Sequence, residues 1–287
     1  MSSEWADIDL PSQEREVRGM IGLAWVRRLR KASLVAHAFF DDSKSFGKKG
    51  FICLAGYLSD DSGWDSFHRE WSAVMGRHRL NVLHTSDFLS AHGQYEEEWK
   101  GTSYPDRVSV VRELIQIIQK HVICGVTIGI DGSAFREVFT AEKKKPPPEE
   151  FCFYRVMKRT IARCLVPDWQ GMLPLHLVFD DSEHSMRFYK AYRHVKSRHI
   201  EVREAVCSIA FADDRFVGAL SAADLLACAT VREHRRDDNA WDEESPFRGL
   251  LQSKDPAYGL LYEQEYWDED EIRRNKLEII KMAVQSG

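Results

Sequence analysis

The stretch Leu34-Val35-Ala36-His37-Ala38-Phe39-Phe40-Asp41-Asp42-Ser43 decides how this chain reads. Its apolar run, with Val and two aromatics, predicts a buried strand. Two adjacent carboxylates at the end of such a strand are costly unless water, a cation or hydrogen-bond donors receive them. Phe179-Asp180-Asp181-Ser182 repeats that ending behind a second apolar run, Leu173 to Val178. A third run, Val206 to Ala212, ends in Asp213 and Asp214. Three strands delivering acids to one sheet edge would form an oxygen-rich cluster of the kind that suits Mg2+ or Mn2+.

Working outward, Phe51 to Leu58 predicts a second strand that pairs back on the first as a hairpin. The connection, Lys44 to Gly50, is basic and places Lys44, Lys48 and Lys49 beside the acids, as phosphate-binding candidates or as an ordinary solvated loop. Ser62 with Asp65 predicts a helix start, and Trp64, Phe67, Trp71, Val74 and Met75 then recur at helical spacing as a core face. Asn81 to His84 predicts a short strand, followed by a helix starting near Thr85 and Ser86. His84 and Asp87 could reach a metal or a phosphate there, although Asp87 could equally serve the helix N-terminus.

Tyr104 to His121 predicts a helix and Val122 to Ile130 a strand, with Asp131 as a turn or cap residue. The Lys-Lys-Lys-Pro-Pro-Pro stretch, 143–148, reads as a stiff loop inserted within one fold. Phe151 to Leu165 and Ser185 to about Arg198 predict further helices. In the helix expected from Ala219 to Glu233, Asp224 shares a face with Leu220, Ala227, Cys228 and Val231. A carboxylate there costs several kcal/mol, of order 2 to 5, unless compensated. It is therefore a ligand, a cap, or the partner of an arginine such as Arg215. Residues 1–33 read as an N-terminal helical extension without chemistry, and residues 34–287 as a single domain. The tail is acidic to Asp270, then predicts a covering helix from Ile272 to Val284.

At 287 residues, 44% hydrophobic and 11% aromatic, the chain can fill a core. No apolar run approaches the roughly 18 residues needed to span a bilayer. The acidic start lacks a signal-peptide layout, so a cytoplasmic protein is expected. Six cysteines without a C-x-x-C pair predict reduced core thiols rather than zinc or disulfides. The net charge of −5 argues weakly against a nucleic-acid-coating protein. Local basic clusters remain, among them Lys44 to Lys49, Lys143 to Lys145, Lys196 to Arg203 and Arg232 to Arg236, and local patches matter more than the sum.

Taken together, the Phe40-Asp41-Asp42-Ser43 strand, its hairpin partner, the Trp64 to Trp71 helix, Leu83-His84-Thr85-Ser86-Asp87, Val178-Phe179-Asp180-Asp181 and Ser221-Ala222-Ala223-Asp224-Leu225-Leu226-Ala227 resemble the family catalogued as domain of unknown function thirty-eight hundred. The resemblance covers about residues 34–233 and implies a ribonuclease-H-like fold with an acidic site. Asp42 stands where that family usually has Glu, and Ser221 where it usually has Gln.

The expected architecture is α/β: a mixed sheet opening in an antiparallel hairpin, with helices on both faces. By fold analogy the resemblance implies a metal-dependent nuclease cutting DNA or RNA with Mg2+ or Mn2+. Asp41, Asp180 and Asp224 would be metal ligands and Asp42 and Asp181 secondary acids, with Asp87 or His84 orienting water. The alternatives are a metal-dependent phosphatase and a non-catalytic partner- or nucleic-acid-binding module.

Overall fold

The computed structural model describes residues 35–44, 50–142, 145–165, 173–234, 247, 250, 261–277 and 279–280. A hairpin opens the fold: β1 (Ala36–Lys44) pairs antiparallel with β2 (Phe51–Asp60). There follow α1 (Asp61–Arg77), α2 (Thr85–Ser90), α3 (Tyr95–Glu98), α4 (Tyr104–His121), β3 (Cys124–Asp131), α5 (Gly132–Val138) and α6 (Pro148–Cys164). The second half adds β4 (Leu175–Asp180), α7 (Ser185–Arg198), α8 (Ile200–Ala205), β5 (Val206–Ala212), α9 (Gly218–His234), β6 (Leu261–Trp267) and α10 (Glu269–Arg274).

The strands form one sheet in the order β5-β4-β1-β2-β3-β6. β2 runs antiparallel to both β1 and β3, while the other pairings are parallel. The chain on the two sides of the Lys/Pro stretch therefore shares one sheet, with β1 beside β4. The stretch itself is not uniformly exposed, for Pro146 is buried and Pro147 caps α6; Lys143 and Lys144 lie outside the described residues.

Strand alternation sorts the core into two layers. Ala36, Ala38, Phe40, Ile52 and Leu54 pack with Phe135 of α5, Phe153 and Met157 of α6, and Phe188 of α7. Phe39, Phe51, Cys53, Ala55 and Tyr57 face the other way, onto α1, α2, α4 and α9. By the same period of two, Asp41 and Asp180 continue the face covered by α9. The predicted stripe Trp64, Phe67, Trp71, Val74 and Met75 is buried. Among the described residues no helix is long and apolar enough to cross a membrane.

Several local expectations are corrected. Asp41 and Asp42 lie inside β1, opposite Ala55 and Leu54, and the strand runs on to Lys44, which pairs with Ile52. Lys44 is thus a strand residue; Lys48 and Lys49 lie outside the described residues, as does the 1–33 extension. Asp60, not Ser62, caps α1: its carboxylate accepts the Gly63 N–H at 2.7 Å, and Ser62 donates to the same oxygen. Asp131 caps α5 as expected, accepting from Ser133 and Ala134.

Residues 81–84 are not a strand. Two of their backbone groups go to the buried Tyr95 hydroxyl, which donates to Val82 O at 2.8 Å and accepts the His84 N–H at 2.9 Å, while His84 O accepts the Phe88 N–H of α2. These bonds take up groups that a strand partner would otherwise satisfy.

The tail holds the largest omission, the edge strand β6. The sequence marks this tail only as acidic up to the helix; its acids are paired, for Glu265 meets Arg155 and Arg159 of α6 at 2.6 Å each, and Glu263 meets Arg163 at 3.4 Å. Although burial raises its proton affinity, the two guanidiniums hold Glu265 at about 2. A helix does follow, but it begins at Glu269. Residues 281–284 of the expected covering helix lie outside the described residues.

Candidate functional site

Four separate segments bring carboxylates to one end of the sheet. The parallel ladder between β1 and β4 closes at Phe40 and Phe179, and the next residue on each strand is an acid, Asp41 and Asp180. β5 ends at Ala212, and the turn after it carries Asp213 and Asp214. α9 lies across β1 and β2 and brings Asp224 from above. Close approach is possible because α9 presents Ala219, Ala222, Ala223 and Ala227, all fully buried. At its start Gly218 lies against Trp71: a Cβ there would come within 2.9 Å of the indole. A larger residue would lift the helix off α1.

Each acid feels at least one neighbouring carboxylate. Burial and the charges of Asp224, Asp180 and Asp42 raise the proton affinity of Asp41 well above the carboxylate norm, against one lowering contact from the Asp42 N–H at 2.7 Å. Asp180 is pushed up to about 6 by burial and by Asp214, although the Asp214 and Asp181 N–H groups oppose the shift. Burial likewise raises Asp224, with Thr85 and His84 pulling the other way. Asp214, with a side chain 12% exposed, is raised by burial and relieved by His84, whose Nδ1 is 3.3 Å from its Oδ2. Among the described residues none of Asp41, Asp180 and Asp224 is paired with a Lys or Arg.

Arg215 does not reach Asp224. It pairs with Asp213, which it holds at about 2. Asp224 does act as a cap, accepting the Thr85 N–H at 2.7 Å where α2 begins. This N–H has no partner within its own helix, and the charge on Asp224 makes the bond a strong one.

Of the residues singled out above the structure gathers Asp41, Asp180, Asp224 and His84, while Asp42 takes the opposite face of β1 and acts on Asp41 through its charge and its N–H. Asp87 is exposed and Asp181 turns outward, accepting from Ser185 Oγ at 2.8 Å. Asp214 was visible as a strand-end acid but indistinguishable from Asp213; the turn that sends one inward and the other to Arg215 is a tertiary matter. The Thr85 N–H carried no sequence signal. Among the described residues no group of three or more His, Cys, Asp or Glu is arranged to hold one metal ion.

The fold and site define an α/β protein with a carboxylate-lined end to a mixed sheet. Comparison with protein-family models, curated proteins and solved structures finds no match to this chain.

Proposed function

We propose that the protein is a divalent-metal-dependent phosphodiesterase acting on nucleic acid, with a ribonuclease-H-like arrangement of its sheet. The opening hairpin, the parallel strands added beside β1, the helices on both faces and the acids at one end are what that fold reading expects. The observation that carries the function is repulsion at Asp41: the charges of Asp224 and Asp180, from two other elements, both raise it, and no Lys or Arg among the described residues pairs with any of the three. Charge collected at such cost is what a cation-binding site requires.

The donor set fits the metal. It is built of carboxylate oxygens, which suit Mg2+ or Mn2+ better than soft metals. Asp41, Asp180 and Asp224 would hold it, and a bound ion would supply charge stabilisation for the phosphate and a more acidic water. His84 is half exposed at the rim. With Nδ1 toward Asp214, its Nε2 is left to pass a proton to or from a reacting oxygen. Asp214 orients that ring, and the Tyr95 hydroxyl fixes the backbone that presents it.

A non-catalytic module is the second reading, favoured by the fact that the three carboxylates do not meet in one coordination sphere among the described residues. The test is cleavage of labelled DNA and RNA with Mg2+ or Mn2+, set beside a small phosphate ester. Metal-dependent cutting abolished by Asp41→Asn supports the proposal. Turnover of the small ester alone would make the protein a phosphatase, and neither activity nor metal binding would leave the non-catalytic module.

A further inference from the structure

The helix α7 carries Arg187, Lys190, Arg193, Lys196 and Arg198, and no acid, in a chain whose net charge is −5. Phe188, Ala191, Tyr192 and Val195 form its buried face. Lys196 turns back, donating to the Tyr192 hydroxyl and to Val206 O. The other four cations are exposed along the outer side, with Met186 at 64% and Tyr189 at 38% exposure among them. Arg193 lies over the Tyr189 ring at 5.9 Å.

Placement brings the start of this stripe to the acidic end of β4, from the sheet layer opposite α9. α7 starts five residues past Asp180, and its first residue, Ser185, bonds Asp181 at the acidic end of β4. From Arg187 to Arg198 the stripe extends about 17 Å at 1.5 Å per residue, enough to meet several successive phosphates. Acids border it on neighbouring segments: Glu150 of α6 beside Arg187, Asp181 and Glu183 ahead of the helix, and Glu204 on α8, which packs against α7, while α7 itself carries none.

The geometry points to α7 as the docking surface for the phosphate backbone of a nucleic-acid substrate, leading the strand to the acids. This rests on the phosphodiesterase reading of the cluster and deepens it: a small phosphate ester needs no such stripe. An anionic membrane fits less well, because the apolar face of α7 is spent on the core and only Met186 and Tyr189 remain to insert. Arg and Lys on a rigid helix, with an aromatic ring between them, are what backbone binding uses.

The test uses fluorescence anisotropy of a labelled oligonucleotide in EDTA, from 50 to 200 mM salt. The variant Arg187→Gln/Lys190→Gln/Arg193→Gln/Arg198→Gln keeps helix-forming residues at exposed positions. A control removes four charges elsewhere, at Arg69, Arg77, Arg112 and Lys120. Affinity at 50 mM should fall at least tenfold in the stripe variant, and the log-log salt slope by about 2 to 4, with the control close to wild type. Equal losses in both variants, an unchanged slope, no oligonucleotide binding by the wild type, or preference for phosphatidylserine vesicles over oligonucleotide would overturn the proposal. Cleavage is scored separately: binding through the stripe without metal-dependent cutting removes the catalytic reading alone, and cutting with an unchanged stripe variant removes the stripe alone.

Discussion

Asp224 on α9 accepts the backbone N–H of Thr85 at 2.7 Å, so one carboxylate both caps the first turn of α2 and faces Asp41. Two requirements meet on a single side chain. Asn at this position keeps an acceptor for Thr85 while removing the charge, which allows the two roles to be separated.

Asp41→Asn, Asp180→Asn and Asp224→Asn should each keep or raise metal-free thermal stability, because each relieves repulsion within the cluster. Cleavage in Mg2+ or Mn2+ should fall by two orders of magnitude or more, and stabilisation by added metal should shrink. Melting curves with EDTA and with metal, beside a cleavage assay, check this. Lower metal-free stability with intact cleavage in two of the three would mark them as structural acids.

Asp180 makes the pH dependence specific. Its proton affinity is raised from 3.8 to about 6, so the native state binds more protons than the unfolded chain between those values. This contribution is fully present below about pH 4 and is lost as pH rises through about 6. After allowance for solvent screening the loss is roughly 1 kcal/mol. Metal-free Asp180→Asn should therefore gain more over wild type at pH 7 than at pH 4, measured by urea titration; an equal gain at both would show that Asp180 does not titrate this way.

Glu265 has the opposite sign. Its pKa is depressed from 4.5 to about 2, so its stabilisation is present above pH 4.5 and is lost as pH falls toward 2. Glu265→Gln leaves Arg155 and Arg159 without their carboxylate and should cost about 3 to 5 kcal/mol. A change below 1 kcal/mol in chemical denaturation would show that β6 is held by its backbone ladder instead.

All six cysteines are free thiols, and Cys207 is the exposed one. Burial pushes the Cys164 thiol up to about 12 and raises Cys53, Cys124 and Cys152 as well. Thiol titration should find one fast-reacting group in the native protein and six after denaturation. Fewer than six, or stoichiometric zinc, would contradict this.

His84→Ala should lower kcat by roughly 100 to 10,000-fold if the imidazole moves a proton, with little change in substrate binding. Asp214→Asn should cause a smaller loss and alter the pH profile, as expected of a residue that orients the ring. Equal effects on KM alone would assign both to binding.

The elements legible in the sequence are those whose local pattern and tertiary environment agree. α4, α7 and β5 have the bounds their periodicity predicts, and the acids that follow Phe40 and Phe179 lie at the same end of the sheet because parallel neighbours in register carry like endings to one edge. Segment 81–84, expected as a strand, and β6, where the sequence leads to no strand, differ from expectation for a shared reason. In both, the groups that satisfy the backbone or the charge belong to distant residues: the Tyr95 hydroxyl in one case, and the α6 arginines in the other.

By itself the sequence determined the α/β class, the opening hairpin, the two faces of the core and three of the acids in the cluster, since these follow from hydrophobic period and from the cost of burying charge. Only the tertiary structure decided which acids meet. It drew in Asp214 and turned Asp213 to Arg215, left Asp87 and Asp181 outside, and gave Asp224 the Thr85 N–H. Spacing along a chain sets which face a side chain occupies, whereas the field it feels depends on elements brought beside it from elsewhere.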